Sequence, residues 1–152
     1  HPAFRSIEKS LTMAFETTVL VRFGDIDGAG IVFYPRFFEM LNSAVEDWCA
    51  QELQLDFHTM HMVLGMGIPV VDIAATFAVP SVLGDVLTVR IVPQAIGKSS
   101  CRLKADFSCH GEHRLTMEMT VVWMNLAKRK SEPWPLEIRE RIETGLTREL
   151  KA

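Results

Sequence analysis

The sequence predicts an α+β fold in which a curved antiparallel sheet wraps around one long central helix, with an extra helix at the C-terminus. Three observations support this prediction. An apolar stripe with helical spacing runs through residues 35–51, strand-like alternation recurs along residues 86–123, and no repeat or linker divides the chain. One sheet folded around one buried helix would cover every apolar face in this pattern.

The first strand and the long helix follow one another near the start of the chain. Residues 15–23 alternate between apolar and polar side chains, which predicts a strand. Pro35 then begins a helix that runs to about Gln51, because proline is favourable at the first helical position. Its apolar stripe consists of Phe37, Phe38, Leu41, Ala44, Val45, Trp48 and Cys49. Such large side chains favour a helix surrounded by a sheet.

The remaining elements are less regular until the middle of the chain. The predicted strands cover residues 68–79, 86–92, 101–109 and 115–123, with a hairpin turn at 110–113. Pro133 and Pro135 precede a last helix, whose apolar stripe is Ile138, Ile142 and Leu146. This order of elements predicts an antiparallel rather than a parallel sheet.

Length and charge limit the classes of protein. The chain has 152 residues, 48% of them hydrophobic, and a net charge of -3. We expect one domain over residues 15–152, preceded by residues 1–14 as a flexible N-terminal arm or an expression remnant. The net charge does not indicate a nucleic-acid partner. No membrane partner is expected either, because Asp72 interrupts the longest apolar run.

The cysteines indicate a reducing compartment. Cys49, Cys101 and Cys109 form an odd set without paired spacing. Cys101 and Cys109 are predicted on one strand, about 26 Å apart, which is too far for a disulfide. Three buried thiols are therefore expected, and with them a cytoplasmic location.

The stretch over residues 22–35 concentrates the chemically interesting residues. It contains two acids, Asp25 and Asp27, and three glycines, and it leads into the helix at Pro35. In an extended chain the two acids would point in opposite directions. Gly28 and Gly30 remove side chains around the second acid and so are predicted to give a substrate access.

The start of the long helix lacks a capping side chain. Tyr34 stands where Ser, Thr, Asp or Asn would normally accept hydrogen bonds from the first N–H groups. A carboxylate beside such a helix start suits acyl transfer, in which a backbone N–H stabilises an oxyanion. The alternative from the same residues is a loop shaped by turn-forming Asp and Gly, with no chemistry.

The motif FGDxDxAGIVxYP over residues 23–35 resembles the signature of the 4-hydroxybenzoyl-CoA thioesterase family of hotdog-fold proteins. Softer similarity extends across residues 15–125. The resemblance implies the hotdog fold, a homodimer or homotetramer, and hydrolysis of an acyl-CoA substrate. It places the catalytic carboxylate at Asp27, as base or nucleophile, and the oxyanion donor at the backbone N–H of Tyr34. Asp25 matches an acid that we interpret as structural.

Three further expectations concern residues outside this motif. Lys98 either contacts the phosphates of CoA, as the resemblance implies, or is a solvated turn lysine. His58 and His61 lack a third ligand nearby, so no metal or other cofactor is expected. The sequence around Ile68 has no polar residue for a 4-hydroxy group, which favours another small or medium acyl-CoA over 4-hydroxybenzoyl-CoA.

Two other functions remain open from the sequence. A hotdog dehydratase acting on hydroxyacyl thioesters would normally use a histidine with a carboxylate, and residues 22–35 contain no histidine. A non-catalytic acyl-CoA binding protein would bind the same ligand without releasing the thiol. Release of free CoA separates the hydrolase from both alternatives.

Overall fold

A computed structural model describes residues 14–151, so the predicted arm lies outside the described residues except for Ala14. Its strands are β1 (Phe15–Leu20), β2 (Met66–Gly67), β3 (Val70–Phe77), β4 (Val86–Ile96), β5 (Ser100–Cys109), β6 (Glu112–Val122), β7 (Met124–Asn125) and β8 (Lys130–Ser131). Its helices are α1 (Pro35–Glu52) and α2 (Leu136–Lys151). The main sheet has five antiparallel strands in the order β1-β4-β5-β6-β3, and β2, β7 and β8 form a small second sheet.

The centre of the main sheet follows the sequence pattern closely. Along β5 and β6 every second side chain is buried, including Leu103, Phe107 and Leu115. The hairpin between these strands turns at His110 and Gly111, whose φ angles are 49° and 79°. Two successive positive φ angles match the twist of a tight hairpin. The predicted turn at 110–113 is therefore correct in place, but the strand already resumes at Glu112.

Helix α1 packs against one face of the sheet, as the apolar stripe predicts. Phe37, Leu41, Ala44, Val45, Trp48 and Cys49 are all buried in one core. The ring of Phe37 meets the ring of Phe107 on β5 edge to face, with centroids 5.8 Å apart. Phe38 differs from the prediction, because it is 36% exposed and faces the edge strand β3.

The segment between α1 and β3 is more divided than the sequence suggests. It contains a short helical turn at Thr59–Val63 and the two-residue strand β2. The predicted strand over residues 68–79 is shorter, because Ile68 and Pro69 separate β2 from β3. Proline has no N–H for a ladder hydrogen bond, which explains why the strand cannot run through this point.

Helix α2 closes the C-terminal end of α1. Ile138 and Ile142 are buried, while Leu146 is half-buried. Arg141 donates a hydrogen bond to the carbonyl oxygen of Leu53 over 2.9 Å. A Cβ at Gly145 would lie only 3.0 Å from the Pro93 ring, so glycine permits the close approach of α2 to β4.

No helix within residues 14–151 combines the length and apolarity needed to cross a membrane.

Candidate active site

The loop between β1 and α1 folds back on itself as a small hairpin. Ile26 and Val32 form an antiparallel bridge, and the N–H of Asp27 donates to the carbonyl oxygen of Ile31 over 2.9 Å. The turn closes with a 3.0 Å hydrogen bond from the N–H of Gly30 to the carbonyl oxygen of Asp27. Asp27 therefore sits at the tip of the hairpin, and the chain returns directly to the start of α1.

Asp25 holds the base of this hairpin. Its carboxylate accepts a 2.8 Å hydrogen bond from the N–H of Arg22, and its carbonyl oxygen accepts one of 2.8 Å from the N–H of Phe33. Residues 23–25 form a turn of 3-10 helix. The extended geometry that would point the two acids in opposite directions does not persist here, and Asp25 instead joins both sides of the loop.

Asp27 is exposed at the hairpin tip. Its Oδ1 accepts a 2.8 Å hydrogen bond from the N–H of Ala29, which orients the carboxylate. Its Oδ2 has no hydrogen bond with any residue of the described chain. One oxygen therefore holds the side chain in position, and the other is available to a ligand.

The two glycines of the hairpin leave open space beside Asp27. A Cβ at Gly28 or at Gly30 would meet no atom within 4 Å. Gly30 has a φ of 80°, a conformation that favours glycine, whereas Gly28 does not need its conformational freedom. A ligand can thus approach the backbone on this side.

Helix α1 starts without a side-chain cap, as the sequence predicts. The N–H of Arg36 donates to the carbonyl oxygen of Phe33 over 2.8 Å, and that of Phe37 to the carbonyl oxygen of Tyr34 over 3.2 Å. The N–H of Tyr34 has no acceptor within residues 14–151. Since this donor lies at the positive end of the helix dipole, it is suited to a partial negative charge on a ligand.

A partly buried ion pair between β6 and the segment before β4 supports the loop. Arg114 on β6 donates to Asp85 over 2.7 Å and to the Oγ of Ser81 over 3.0 Å. The carbonyl oxygen of Ser81 in turn accepts the N–H of Val32 over 2.9 Å. Hydrogen bonds from the N–H of Val82 and from the Arg114 guanidinium lower the pKa of Asp85 below its usual range.

Lys98 lies far from this loop in the same chain. It occupies the turn after β4, where its side chain is exposed. The loop is at the other end of β4, because Val86 pairs with Leu20. The strand between them spans about 33 Å, so one chain does not bring Lys98 and Asp27 together.

Two polar side chains that the sequence did not assign to a substrate site, Asn42 and His61, lie in a cleft beside α1. This α1–β3 cleft has a volume of about 340 Å³ and is lined by Asn42, Val45, Phe57, His61, Gly67, Ile68, Pro69, Val70, Met119 and Leu126. An adjoining part of about 220 Å³ reaches Phe38 and Ile73. The sequence near Ile68 offers no polar side chain, but the fold brings Asn42 and His61 beside it. Asn42 lies four residues after Phe38 and therefore on the same face of α1, so helical spacing could have placed Asn42 beside Phe38 in the cleft.

The cysteines are not part of this site. Cys49, Cys101 and Cys109 are free and buried. Burial raises the pKa of Cys101 to about 12, and burial is also the main reason that the pKa of Cys49 is raised. Because the thiolate is the nucleophilic form, Cys49 and Cys101 do not serve as nucleophiles at neutral pH.

Known proteins resemble the chain in sequence and in structure. The sequence profile of the thioesterase-like superfamily matches residues 21–142. A 1,4-dihydroxy-2-naphthoyl-CoA hydrolase of Thermosynechococcus vestitus is 29% identical over 116 residues, which cover 76% of this chain and 79% of that protein.

Two solved structures share the fold. A 1,4-dihydroxy-2-naphthoyl-CoA thioesterase from Synechocystis has a TM-score of 0.77 and 24% identity, covering 86% of this chain and 96% of its own. A gentisyl-coenzyme A thioesterase has a TM-score of 0.75 and 25% identity, covering 85% and 99%. The 4-hydroxybenzoyl-CoA thioesterase family in particular stays a prediction. The chain belongs to the thioesterase-like superfamily, and it is a thioester hydrolase with the hotdog fold.

Proposed function

We propose that this protein hydrolyses an aromatic acyl-CoA thioester, with Asp27 as base or nucleophile and the backbone N–H of Tyr34 as oxyanion donor. The observation that carries the proposal is the free N–H of Tyr34 at an uncapped helix start, next to a hairpin that presents the Asp27 carboxylate. The substrate class is supported by the relatives that act on 1,4-dihydroxy-2-naphthoyl-CoA.

Two routes use the same residues. As a base, Asp27 takes a proton from water while the water oxygen attacks the thioester carbonyl carbon. As a nucleophile, an Asp27 oxygen attacks that carbon and forms a mixed anhydride, which water then hydrolyses. In both routes the tetrahedral oxyanion accepts a hydrogen bond from the Tyr34 N–H. The C–S bond then breaks. In the first route protonated Asp27 returns its proton to the leaving sulfur, and in the second the CoA thiolate takes its proton from solvent.

The active protein is proposed to be a homodimer or homotetramer. Ile73 and Phe77 on β3 face the same side of the sheet as their partners Met119 and Leu115 on β6. The β6 residues are at most 5% exposed, whereas Ile73 and Phe77 are 38% and 50% exposed. Since β3 is also an edge strand, a second copy pairing there would cover both its side chains and its backbone. Light scattering that shows a monomer would contradict this part of the proposal.

Pairing at β3 also relates the cleft to the loop between β1 and α1, which is the proposed catalytic loop. The rings of Phe37 and Phe77 are 5.9 Å apart, so the start of α1 lies at the end of β3. Asn42 and Val45 lie opposite Val70, at the beginning of β3. An antiparallel two-fold pair of β3 strands would therefore bring the second copy's catalytic loop next to the α1–β3 cleft. We propose that the acyl group lies in this cleft.

Lys98 remains a proposed contact for the phosphates of CoA. Because Lys98 is far from Asp27 in the same chain, this contact requires either the full length of CoA or the Lys98 of a second subunit.

The proposal is tested by release of free CoA from a panel of acyl-CoAs, followed with a thiol reagent. The panel includes aliphatic chains of several lengths, benzoyl-CoA and hydroxylated aromatic acyl-CoAs. We expect turnover of aromatic members. Binding without thiol release would instead favour an acyl-CoA binding protein, and conversion without thiol release would favour a dehydratase.

Asp27→Asn is expected to lower kcat by about 10²–10⁴-fold, because the amide can neither accept the proton nor attack the carbonyl. The fold should persist, since the amide oxygen can still accept the Ala29 N–H. Asp25→Asn is the matched control and should retain activity. If Asp27→Asn turns over at the wild-type rate while Asp25→Asn does not, the assignment of the two acids is wrong.

A further inference from the structure

The α1–β3 cleft is mostly apolar and of a size that suits a small ligand. Its walls are formed by α1, the turn at Thr59–Val63, and strands β3 and β6, with Phe57, Met119 and Leu126 as large apolar contacts. Its volume of about 340 Å³ falls at the lower end of the range for small-molecule sites. Such a site fixes its ligand through a small number of polar groups, which makes the polar side chains in the wall informative.

His61 is held rigidly in this wall. Its Nδ1 lies 2.8 Å from the carbonyl oxygen of Phe57, and its ring packs edge to face on the Phe57 ring with centroids 4.9 Å apart. The turn that carries it is anchored by Asp56, which accepts hydrogen bonds from the N–H and the hydroxyl of Thr59 over 3.1 Å and 2.7 Å. The position and the ring plane of His61 are therefore fixed by contacts within the chain.

The same contact fixes the tautomer of the neutral imidazole. A carbonyl oxygen only accepts hydrogen bonds, so Nδ1 must carry the proton and donate it. The other ring nitrogen, Nε2, is then an acceptor. It makes no hydrogen bond with any residue in the part of the chain that the structure describes. A Cβ placed on Gly67 would be 3.5 Å from Nε2, so the absence of a side chain at Gly67 keeps this nitrogen accessible from the cleft.

We propose that His61 selects hydroxylated aromatic acyl groups by accepting a hydrogen bond at Nε2 from a hydroxyl on the acyl ring. The inference rests on the proposed function, because it assumes that the acyl group occupies the α1–β3 cleft. The ring would pack between Phe57 and Met119, and its hydroxyl would supply the donor that the oriented Nε2 lacks. An unsubstituted ring would leave Nε2 without a partner and desolvated, so the site would disfavour it.

The test compares one ratio across variants: kcat/KM for the best hydroxybenzoyl-CoA isomer divided by kcat/KM for benzoyl-CoA. Wild-type protein should prefer the hydroxylated substrate. His61→Phe keeps a ring but removes the acceptor, and we expect the ratio to fall about 10–100-fold. His61→Gln, which retains an acceptor oxygen, should recover part of the preference. His58→Phe is the matched control, because His58 is exposed three residues away and outside the cleft.

Each other outcome overturns the inference. A wild-type enzyme that hydrolyses benzoyl-CoA as well as every hydroxybenzoyl-CoA isomer has no hydroxyl selection, whatever the variants do. An equal loss on both substrates in His61→Phe would mean that His61 contacts the CoA portion or only supports the fold. Failure of the proposed function is distinct from these, because the wild-type protein would then release no CoA from any aromatic substrate.

Discussion

The two ends of helix α1 differ in how they are covered. At the C-terminal end, Cys49 and Leu53 are at most 1% exposed, and α2 supplies Arg141 to the Leu53 carbonyl oxygen. At the N-terminal end, Phe33 and Tyr34 are 47% and 60% exposed, and the Tyr34 N–H has no acceptor within the described chain.

Under the proposed mechanism, this difference would separate stability from chemistry along one helix. Buried backbone groups are almost always paired, and the C-terminal end of α1 obeys that rule through α2. An unpaired donor is tolerated at the N-terminal end because solvent, or a ligand, can reach it. The closed end is therefore expected to carry stability and the open end to carry turnover, and substitutions at the two ends test this separation.

Among substitutions that compare the two ends of α1, the largest expected effect comes from removing the N–H at the open end. Tyr34 has a φ of -51°, which proline can adopt, so Tyr34→Pro deletes the donor with little change in the backbone angle. We expect kcat to fall about 10²–10³-fold, the usual cost of losing one oxyanion donor. Tyr34→Ala keeps the N–H and is the control. Steady-state CoA release measures both variants, and equal activity in Tyr34→Pro and Tyr34→Ala would exclude this donor.

The closed end should behave in the opposite way. Arg141→Met removes a charged donor from the Leu53 carbonyl oxygen and is expected to lower the free energy of unfolding by about 1–3 kcal/mol. Its kcat/KM should stay at the wild-type value, because Arg141 lies far from the open end. Urea denaturation gives the stability. Arg36→Met is the control at the open end, since the Arg36–Glu39 pair is exposed and contributes little. Reduced turnover in Arg141→Met would contradict the separation.

The smallest expected effect is a change in the pH dependence of stability when Asp85 is replaced. Asp85 pairs with Arg114 and so supports the loop at the open end of α1. The lowered pKa of Asp85 means that the folded state prefers the carboxylate. Its stabilisation is thus complete above the ordinary Asp pKa of about 4 and is lost as the pH falls through the lower, folded-state pKa. Asp85→Asn should be less stable than wild type at neutral pH, and its stability should fall less on acidification. Urea titrations at neutral and strongly acidic pH measure this, and parallel loss in both proteins would refute it.

The regular elements were predictable because their signals are local. Alternation along β5 and β6 and the stripe of α1 each reflect one buried face, and both appear in the structure as expected. The strand predicted over residues 68–79 was too long, since apolar composition does not show where Pro69 interrupts the ladder. Phe38 was assigned to the core by spacing, but it lies where the sheet ends and α1 is only partly covered.

By itself the sequence determined the α+β architecture and the loop over residues 22–35 as the place to look for chemistry. Both depend on residues close together in the chain, whose spacing sets periodicity and turn formation. The tertiary structure decided what each polar group does. It engaged Asp25 in the base of the hairpin and left an oxygen of Asp27 free. It also placed His61 in one cleft with Asn42, because contacts between distant segments form only when the whole core packs.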